Sequence, residues 1–308
     1  TNARAVVDSF PKDEKIIFAP DKNLGGYLNA VTHRNMLLWN GGCHVHEQFA
    51  LERLIDLKKQ YPVVNYVVGT FQKQNFLDII QASEKGVELQ KIDEEPVYTF
   101  APLSYEKGSF QAFVPIMHGC NNFCAYCIVP YVRGRERSRD PEYILQEVKE
   151  LVAKGVSEFQ LIAQDLTYYG KDLYQKFALA DLLVRLSDVP GVKWIRLHYA
   201  YPTQFPYDIL PVIRERDNIC KYLDIALQHS SDSMLQKMHR GITCAETEAL
   251  LQRIRQEVPG ICLRTTLMVG HPGETEADFE DLLAFVELQK FERMGAFAYS
   301  DEENTYAN

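Results

Sequence analysis

Three cysteines crowd into one short segment of this 308-residue chain, Cys120-Asn-Asn-Phe-Cys124-Ala-Tyr-Cys127. The C-x₃-C-x₂-C spacing brings three thiols into one loop. Three thiolates there can hold three irons of a cubane cluster and leave the fourth iron open to a further ligand. A structural zinc site wants four protein ligands, so zinc would need His118 or a distant residue to complete it. Three buried thiols without a metal are the remaining alternative. Tyr126, directly before the third cysteine, and a strand-like segment just ahead of the loop favour the cluster. Met268-Val-Gly-His-Pro-Gly-Glu-Thr275 is a second candidate, in which Gly270 and Gly273 either let backbone approach a ligand or form a tight turn. Arg133, Arg135, Arg137 and Arg139 alternate, so an extended segment would set all four on one side to grip phosphate or carboxylate, with a solvated loop as the alternative. Cys43, His44, His46 and Glu47 offer a mixed donor set that suits zinc or a single iron. Cys220, Cys244 and Cys262 stand alone and read as ordinary thiols, and Trp39 and Trp194 as core residues.

Positioning such groups falls to the elements around them. From Ala112 onward, short apolar runs rich in β-branched and aromatic residues alternate with longer amphipathic stretches, the signature of βα units. Strands are predicted near Ala112 to Met117, Glu158 to Ala163, Lys193 to His198, Tyr222 to Ala226, Ile261 to Val269 and Met294 to Tyr299. Helices are predicted near Pro141 to Ala153, Leu179 to Leu186, Pro206 to Arg216, Ser231 to His239, Ala245 to Glu257 and Glu276 to Gln289. Six strands with five crossovers make a partial parallel barrel or an open doubly wound sheet. In both, reactive groups gather at the C-terminal ends of the strands. Before Ala112 a smaller α/β unit is expected, with strands at Lys15 to Ala19, Met36 to Trp39 and Val63 to Val68, helices at Gln48 to Gln60 and Asn75 to Lys85, and a linker from Gly86 to Gly108.

A chain of 46% hydrophobic and 24% charged residues suits about two globular domains. No apolar run approaches the roughly 18 residues of a membrane-spanning helix, and Thr1-Asn2-Ala3-Arg4 lacks a signal peptide's apolar stretch. A cytoplasmic protein with no membrane partner is expected. The formal charge of −9 argues against general coating of nucleic acid and confines any RNA contact to a local basic patch. Clustered rather than dispersed cysteines point to metal or redox chemistry, not to a disulfide scaffold.

The run from His118 through Arg139 resembles the methylthiotransferases of the radical S-adenosylmethionine (SAM) superfamily, and over about residues 63 to 155 especially their tRNA-modifying MiaB-like branch. Gln164-Asp-Leu-Thr-Tyr-Tyr-Gly170, Arg196-Leu-His-Tyr-Ala-Tyr-Pro202, Leu227-Gln-His-Ser-Ser-Asp232 and Ala296-Phe-Ala-Tyr-Ser300 look like the RimO-like branch from about 156 to 308. This resemblance implies a partial (β/α)₆ barrel, with a [4Fe-4S] cluster on Cys120, Cys124 and Cys127. It implies SAM bound through the unique iron, Tyr126 beside the adenine, and Gln164, Gly270 and Gly273 as further SAM-binding residues. An electron from a donor such as flavodoxin or ferredoxin would cleave SAM to methionine and a 5′-deoxyadenosyl radical, and a second SAM would methylate sulfur. The implied substrate is an aspartate of the twelfth small-subunit ribosomal protein. A tRNA adenosine beside the anticodon is the alternative, and a non-catalytic metal-binding or RNA-binding module is the rival of another class.

Residues 1 to about 62 depart from that family. Lys15-Ile-Ile-Phe-Ala-Pro-Asp-Lys-Asn-Leu-Gly-Gly-Tyr27 and Leu38-Trp-Asn-Gly-Gly-Cys-His-Val-His-Glu47 look like an internal fragment of quinolinate synthase, in which a cysteine matching Cys43 ligates a different iron–sulfur cluster. The chain thus reads as composite, with a small α/β unit over 1–100 and the radical SAM domain over 101–308. Methylthiotransferases carry a second, sulfur-donating cluster on three amino-terminal cysteines and a TRAM domain after the barrel. Here Cys43 is the one cysteine before the barrel and the sequence stops just after the sixth strand. Radical generation without normal sulfur transfer is therefore expected.

Overall fold

The computed structural model of the protein describes residues 17–18, 32–33, 37–38, 81, 108–302 and 305–308. In the amino-terminal third, β1 (Ile17–Phe18) and β2 (Leu37–Leu38) fall within two predicted strands and pair in parallel, Ile17 opposite Leu37. Parallel neighbours need a crossover between them, in keeping with an α/β unit. The strand expected over 63–68, the helices over 48–60 and 75–85 (apart from helical Gln81), most of the linker, Trp39, and Cys43 with His44, His46 and Glu47 lie outside the described residues.

The barrel begins with β3 (Gln111–Pro115), after which β4 (Met117–His118) and β5 (Arg137–Ser138) pair antiparallel. A short helix, α1 (Val129–Arg133), lies within the loop that β4 and β5 close. Then follow α2 (Pro141–Ala153), β6 (Glu158–Ile162), α3 (Lys171–Tyr174), α4 (Leu179–Ser187) and β7 (Trp194–Leu197). The second half comprises α5 (Ile209–Glu215), β8 (Tyr222–Gln228), α6 (Asp232–Lys237), α7 (Cys244–Glu257), β9 (Cys262–Val269), α8 (Glu276–Gln289) and β10 (Arg293–Ala298). β3, β6 and β7 form one parallel sheet in that order, and β8, β9 and β10 another. Backbone bridges between Ile195 and Ile219 and between Ala200 and Ile225 join the two halves. Six parallel strands therefore run in sequence order, as a partial (β/α)₆ barrel requires. The antiparallel β4–β5 ribbon was not expected and stands outside these six.

Period-two alternation decides which face of each strand is dry. Phe159 and Leu161, Ile195 and Leu197, Leu223, Ile225 and Leu227, and Leu263 and Leu267 are buried in one core shared with the helices. Helix α2 shows how a crossover is built. The Asp140 carboxylate accepts from Glu142 N at 2.8 Å and Pro141 occupies the first turn, so the start is capped and pre-set. Ile144, Leu145, Val148 and Leu151 then recur on one buried face, and Gly155, at φ +97°, lets the chain turn off the end. Each such side chain contributes about 1.5–3 kcal/mol by leaving water, so Ile144→Ala, at a fully buried site, should cost about 2–5 kcal/mol.

Trp194 corrects an expectation. It opens β7 on the face opposite Ile195 and is 52% exposed, because alternation gives the core position to its neighbour. Among the described residues no helix is long and apolar enough to cross a membrane.

Candidate functional site

Every group of chemical interest follows the C-terminal end of a strand. Cys120 comes just after β4, Gln164 and Asp165 after β6, Tyr201 after β7, Ser230 after β8 and His271 after β9. The loop that carries the thiols is clasped at both ends by the β4–β5 ribbon, Met117 opposite Ser138 and His118 opposite Arg137. Inside the clasp Cys120 N donates to Gly134 O at 3.2 Å. Asn122 Nδ2 donates to Asp165 Oδ2 at 2.9 Å, and Asp165 Oδ1 accepts from Thr167 N at 2.9 Å. Ala125 N donates to Met238 O at 3.0 Å, which ties the loop to the end of α6. Arg135 lies over the Phe123 ring, its guanidinium carbon 4.3 Å from the centroid.

Arg240 is the electrostatic centre of the site. It is buried, and its Nη1 donates to Cys124 Sγ at 3.4 Å and to Tyr126 Oη at 3.2 Å, while Nη2 donates to Ala226 O. Its guanidinium stacks on Tyr201, 4.1 Å from the ring centroid, and the Tyr201 hydroxyl donates to Arg240 O at 3.1 Å and sits 3.5 Å from Cys124 Sγ. Burial works against the Arg240 charge, but the phenol and thiol groups around it raise its pKa overall. Burial pushes the Cys120 thiol up to about 12 and raises that of Cys127. Left to themselves these two are neutral thiols, and an iron cation would supply the charge that thiolates need there.

Buried polar atoms without hydrogen-bond partners also occur here: Arg240 Nε, in the guanidinium that touches Cys124 and Tyr126, and Gln164 Oε1 and His271 Nε2, each just past the end of a strand. Such atoms are costly unless a polar ligand pairs with them. His271 stands edge-on to Tyr126, with ring centroids 6.3 Å apart, and to Tyr299 at 5.2 Å. Among the described residues no three His, Cys, Asp or Glu side chains converge closely enough to hold one metal ion.

The predicted residues are thus brought together at one rim: Cys120, Cys124, Cys127, Tyr126, Gln164 and the turn at Gly270. Gly270 N and His271 N both donate to Glu274 Oε2, the latter at 3.2 Å, so Glu274 closes a tight βα turn. The Gly273 carbonyl accepts from Lys237 Nζ at 2.6 Å. Cys43 lies outside the described residues. The four alternating arginines do not make one basic face. Arg133 ends α1, Arg135 covers Phe123, and Arg139 is only 8% exposed and paired with Glu147, because the segment is helix, turn and short strand rather than one extended run. Arg240, Tyr201 and Asp165 were not singled out from the sequence. An arginine two residues past the helical apolar stripe of Met234, Leu235 and Met238 was the available signal for Arg240.

A parallel α/β half-barrel with three thiols in one rim loop defines a cofactor-dependent enzyme class whose chemistry occurs at the strand ends. The chain belongs to the radical SAM superfamily, whose model matches residues 114–286. A model for quinolinate synthetase A protein matches residues 1–87, further than the 62 residues that carry the visible likeness. A ribosomal protein uS12 methylthiotransferase, RimO, of Parabacteroides distasonis is 56% identical over 254 residues, 82% of this chain and 56% of that protein. RimO of Phocaeicola vulgatus is 60% identical over 196 residues, 64% of this chain and 45% of that protein. The chain thus spans about half the length of these curated relatives. A solved structure of the radical SAM methyltransferase TsrM from Kitasatospora setae superposes with a TM-score of 0.65 at 14% identity, covering 99% of this chain and 66% of that one, a likeness of fold.

Proposed function

We propose that the chain is the radical-generating part of a methylthiotransferase that modifies an aspartate of ribosomal protein uS12. Cys120, Cys124 and Cys127 hold the three protein-bound irons of a [4Fe-4S] cluster, and SAM occupies the fourth. Bound together, cluster and SAM supply reductive cleavage of SAM and abstraction of a hydrogen atom from the substrate. The observation that carries this reading is three thiols free of disulfides in one loop at the strand ends, with the buried Arg240 and the Tyr201 hydroxyl both at Cys124 Sγ. Arg240 donates to Cys124 Sγ and to the Tyr126 hydroxyl and so orients both. Tyr126, Gln164, Gly270 and Gly273 border SAM.

The substrate assignment follows the uS12 methylthiotransferases named above. The tRNA alternative drew on a continuous basic face, and the burial of Arg139 weakens it. Reduction by flavodoxin or ferredoxin, a cytoplasmic location, and a boundary near residue 100 between the amino-terminal unit and the barrel belong to the same reading. With Cys43 the one cysteine before the barrel, this chain alone should cleave SAM and transfer sulfur poorly. Anaerobic reconstitution tests it: a brown protein with about four irons and four sulfides per chain that releases 5′-deoxyadenosine supports the proposal, and alanine at any of the three cysteines should abolish that release. A colourless zinc protein would overturn it.

A further inference from the structure

The inner face of the strands carries a second group of polar residues that the thiol site does not use. Gln160 on β6, Arg196 on β7, His198 just past it, Tyr222 and Asp224 on β8 and Arg264 on β9 alternate with the core residues and so face the lumen. They form one connected set. Arg264 Nη1 pairs with Asp224 Oδ2 at 2.6 Å, His198 Nε2 and Gln160 Oε1 are hydrogen-bonded at 2.9 Å, and Arg196 lies over the Tyr222 ring with its guanidinium carbon 5.3 Å from the centroid.

The charges in this set do not cancel. Asp224 is matched by Arg264. Burial favours neutral His198, with Asp224 opposing that and the two arginines reinforcing it. Arg196 remains: it hydrogen-bonds the Cys220 thiol but has no ion pair among the described residues, and its Nε is buried without a partner. A half-buried guanidinium in this state lacks an anion, and the planar fork of arginine suits a carboxylate. The depth is also right. Asp224 precedes Ala226, whose carbonyl accepts from Arg240, by two residues, or about 7 Å of strand. His198 lies three residues before Tyr201, whose hydroxyl is 3.5 Å from Cys124 Sγ.

We infer that Arg196 and its lumen neighbours receive the carboxylate of an acidic side chain on the substrate, and so restrict the reaction to an acidic residue. The inference rests on the methylthiotransferase reading above and names the group that selects its target. A neutral nucleobase would leave the Arg196 charge unmatched in the same space.

The test uses the reconstituted holoprotein and two fluorescent uS12-derived peptides that differ only in aspartate or asparagine at the target position, with binding read by anisotropy. The protein should prefer the aspartate peptide by about 10-fold or more, the scale of one hydrogen-bonded charge pair. Arg196→Gln should bring the two affinities together by weakening the aspartate peptide alone. Arg196→Lys, which keeps charge but not the fork, should retain part of the preference, and iron content and thermal melting report that both variants fold. Equal binding of the two peptides by the unaltered protein, an undiminished preference in Arg196→Gln, or loss of RNA stem-loop binding in that variant with no effect on peptide would each overturn the inference. Release of 5′-deoxyadenosine separates the two readings. An Arg196-dependent preference in a reconstituted protein that releases none sustains the lumen assignment and counts against the radical-generating reading, whereas release with a preference indifferent to Arg196 does the reverse.

Discussion

Gly119 and Gly270 share a φ of +77° and both stand on the rim, yet their surroundings are opposite. A Cβ on Gly119 would lie 2.1 Å from the Arg135 carbonyl oxygen, inside the clasped cysteine loop. A Cβ on Gly270 would meet nothing within 4 Å. The first glycine is required because backbone packs on backbone. The second is required by backbone conformation alone, at an exposed turn. One half of the rim is thus locked by backbone contact and the other only by its own dihedral angle.

The contrast predicts a graded series. Gly119→Ala should do most harm, since the 134–135 backbone must move and the ribbon with it. More than about 4 kcal/mol of stability and most iron loading should be lost, as read by melting and iron analysis. Arg240→Met comes next. It removes the cation from Cys124 and Tyr126 and leaves the Ala226 carbonyl unpaired, at a cost of about 3–5 kcal/mol, and SAM affinity by calorimetry should fall with it. Gly270→Ala should cost only about 1–2 kcal/mol, the strain of a left-handed alanine. If it equalled Gly119→Ala, the distinction between the two halves would fail.

The smallest effect depends on pH. Burial, reinforced by Asp165 and Asp172, raises the Glu136 carboxyl from its ordinary 4.5 to about 7. A raised acid favours folding while it is protonated. The contribution is complete below pH 4.5 and is lost as pH rises through about 7. In the chain without cluster, Glu136→Gln should melt with the unaltered protein near pH 4 and above it at pH 8. A variant less stable at pH 8 would show that Glu136 is not crowded by its acidic neighbours.

Local patterns made most of the barrel legible. The helix over 141–153 was readable from Asp140, Pro141 and Gly155, and the strands from alternation, because both signals are carried by adjacent residues. The short ribbon was hidden: two-residue strands have no period, and His118 and Arg137 pair across a loop that nothing local foretells. The cysteines announced themselves by spacing. Arg240 did not, since its importance arises from four partners on three other segments, Cys124 and Tyr126, Tyr201, and Ala226. The alternating arginines misled for the converse reason, as a period of two describes a face only if the backbone is extended, and here Arg133 ends a helix and Gly134, at φ +73°, turns the chain before Arg137 enters a strand.

The ribbon also bears on how a cluster is acquired. Closing a loop of the length of residues 119–136 from a flexible chain costs about 2.5 kcal/mol in entropy, by the logarithmic dependence on length. Here two strand pairs and the Cys120–Gly134 hydrogen bond meet that cost with peptide groups and without sulfur. Small zinc modules use metal binding to drive their own folding. Here backbone pairing draws the two ends of the thiol loop together, so that this part of the closure cost does not fall on metal binding.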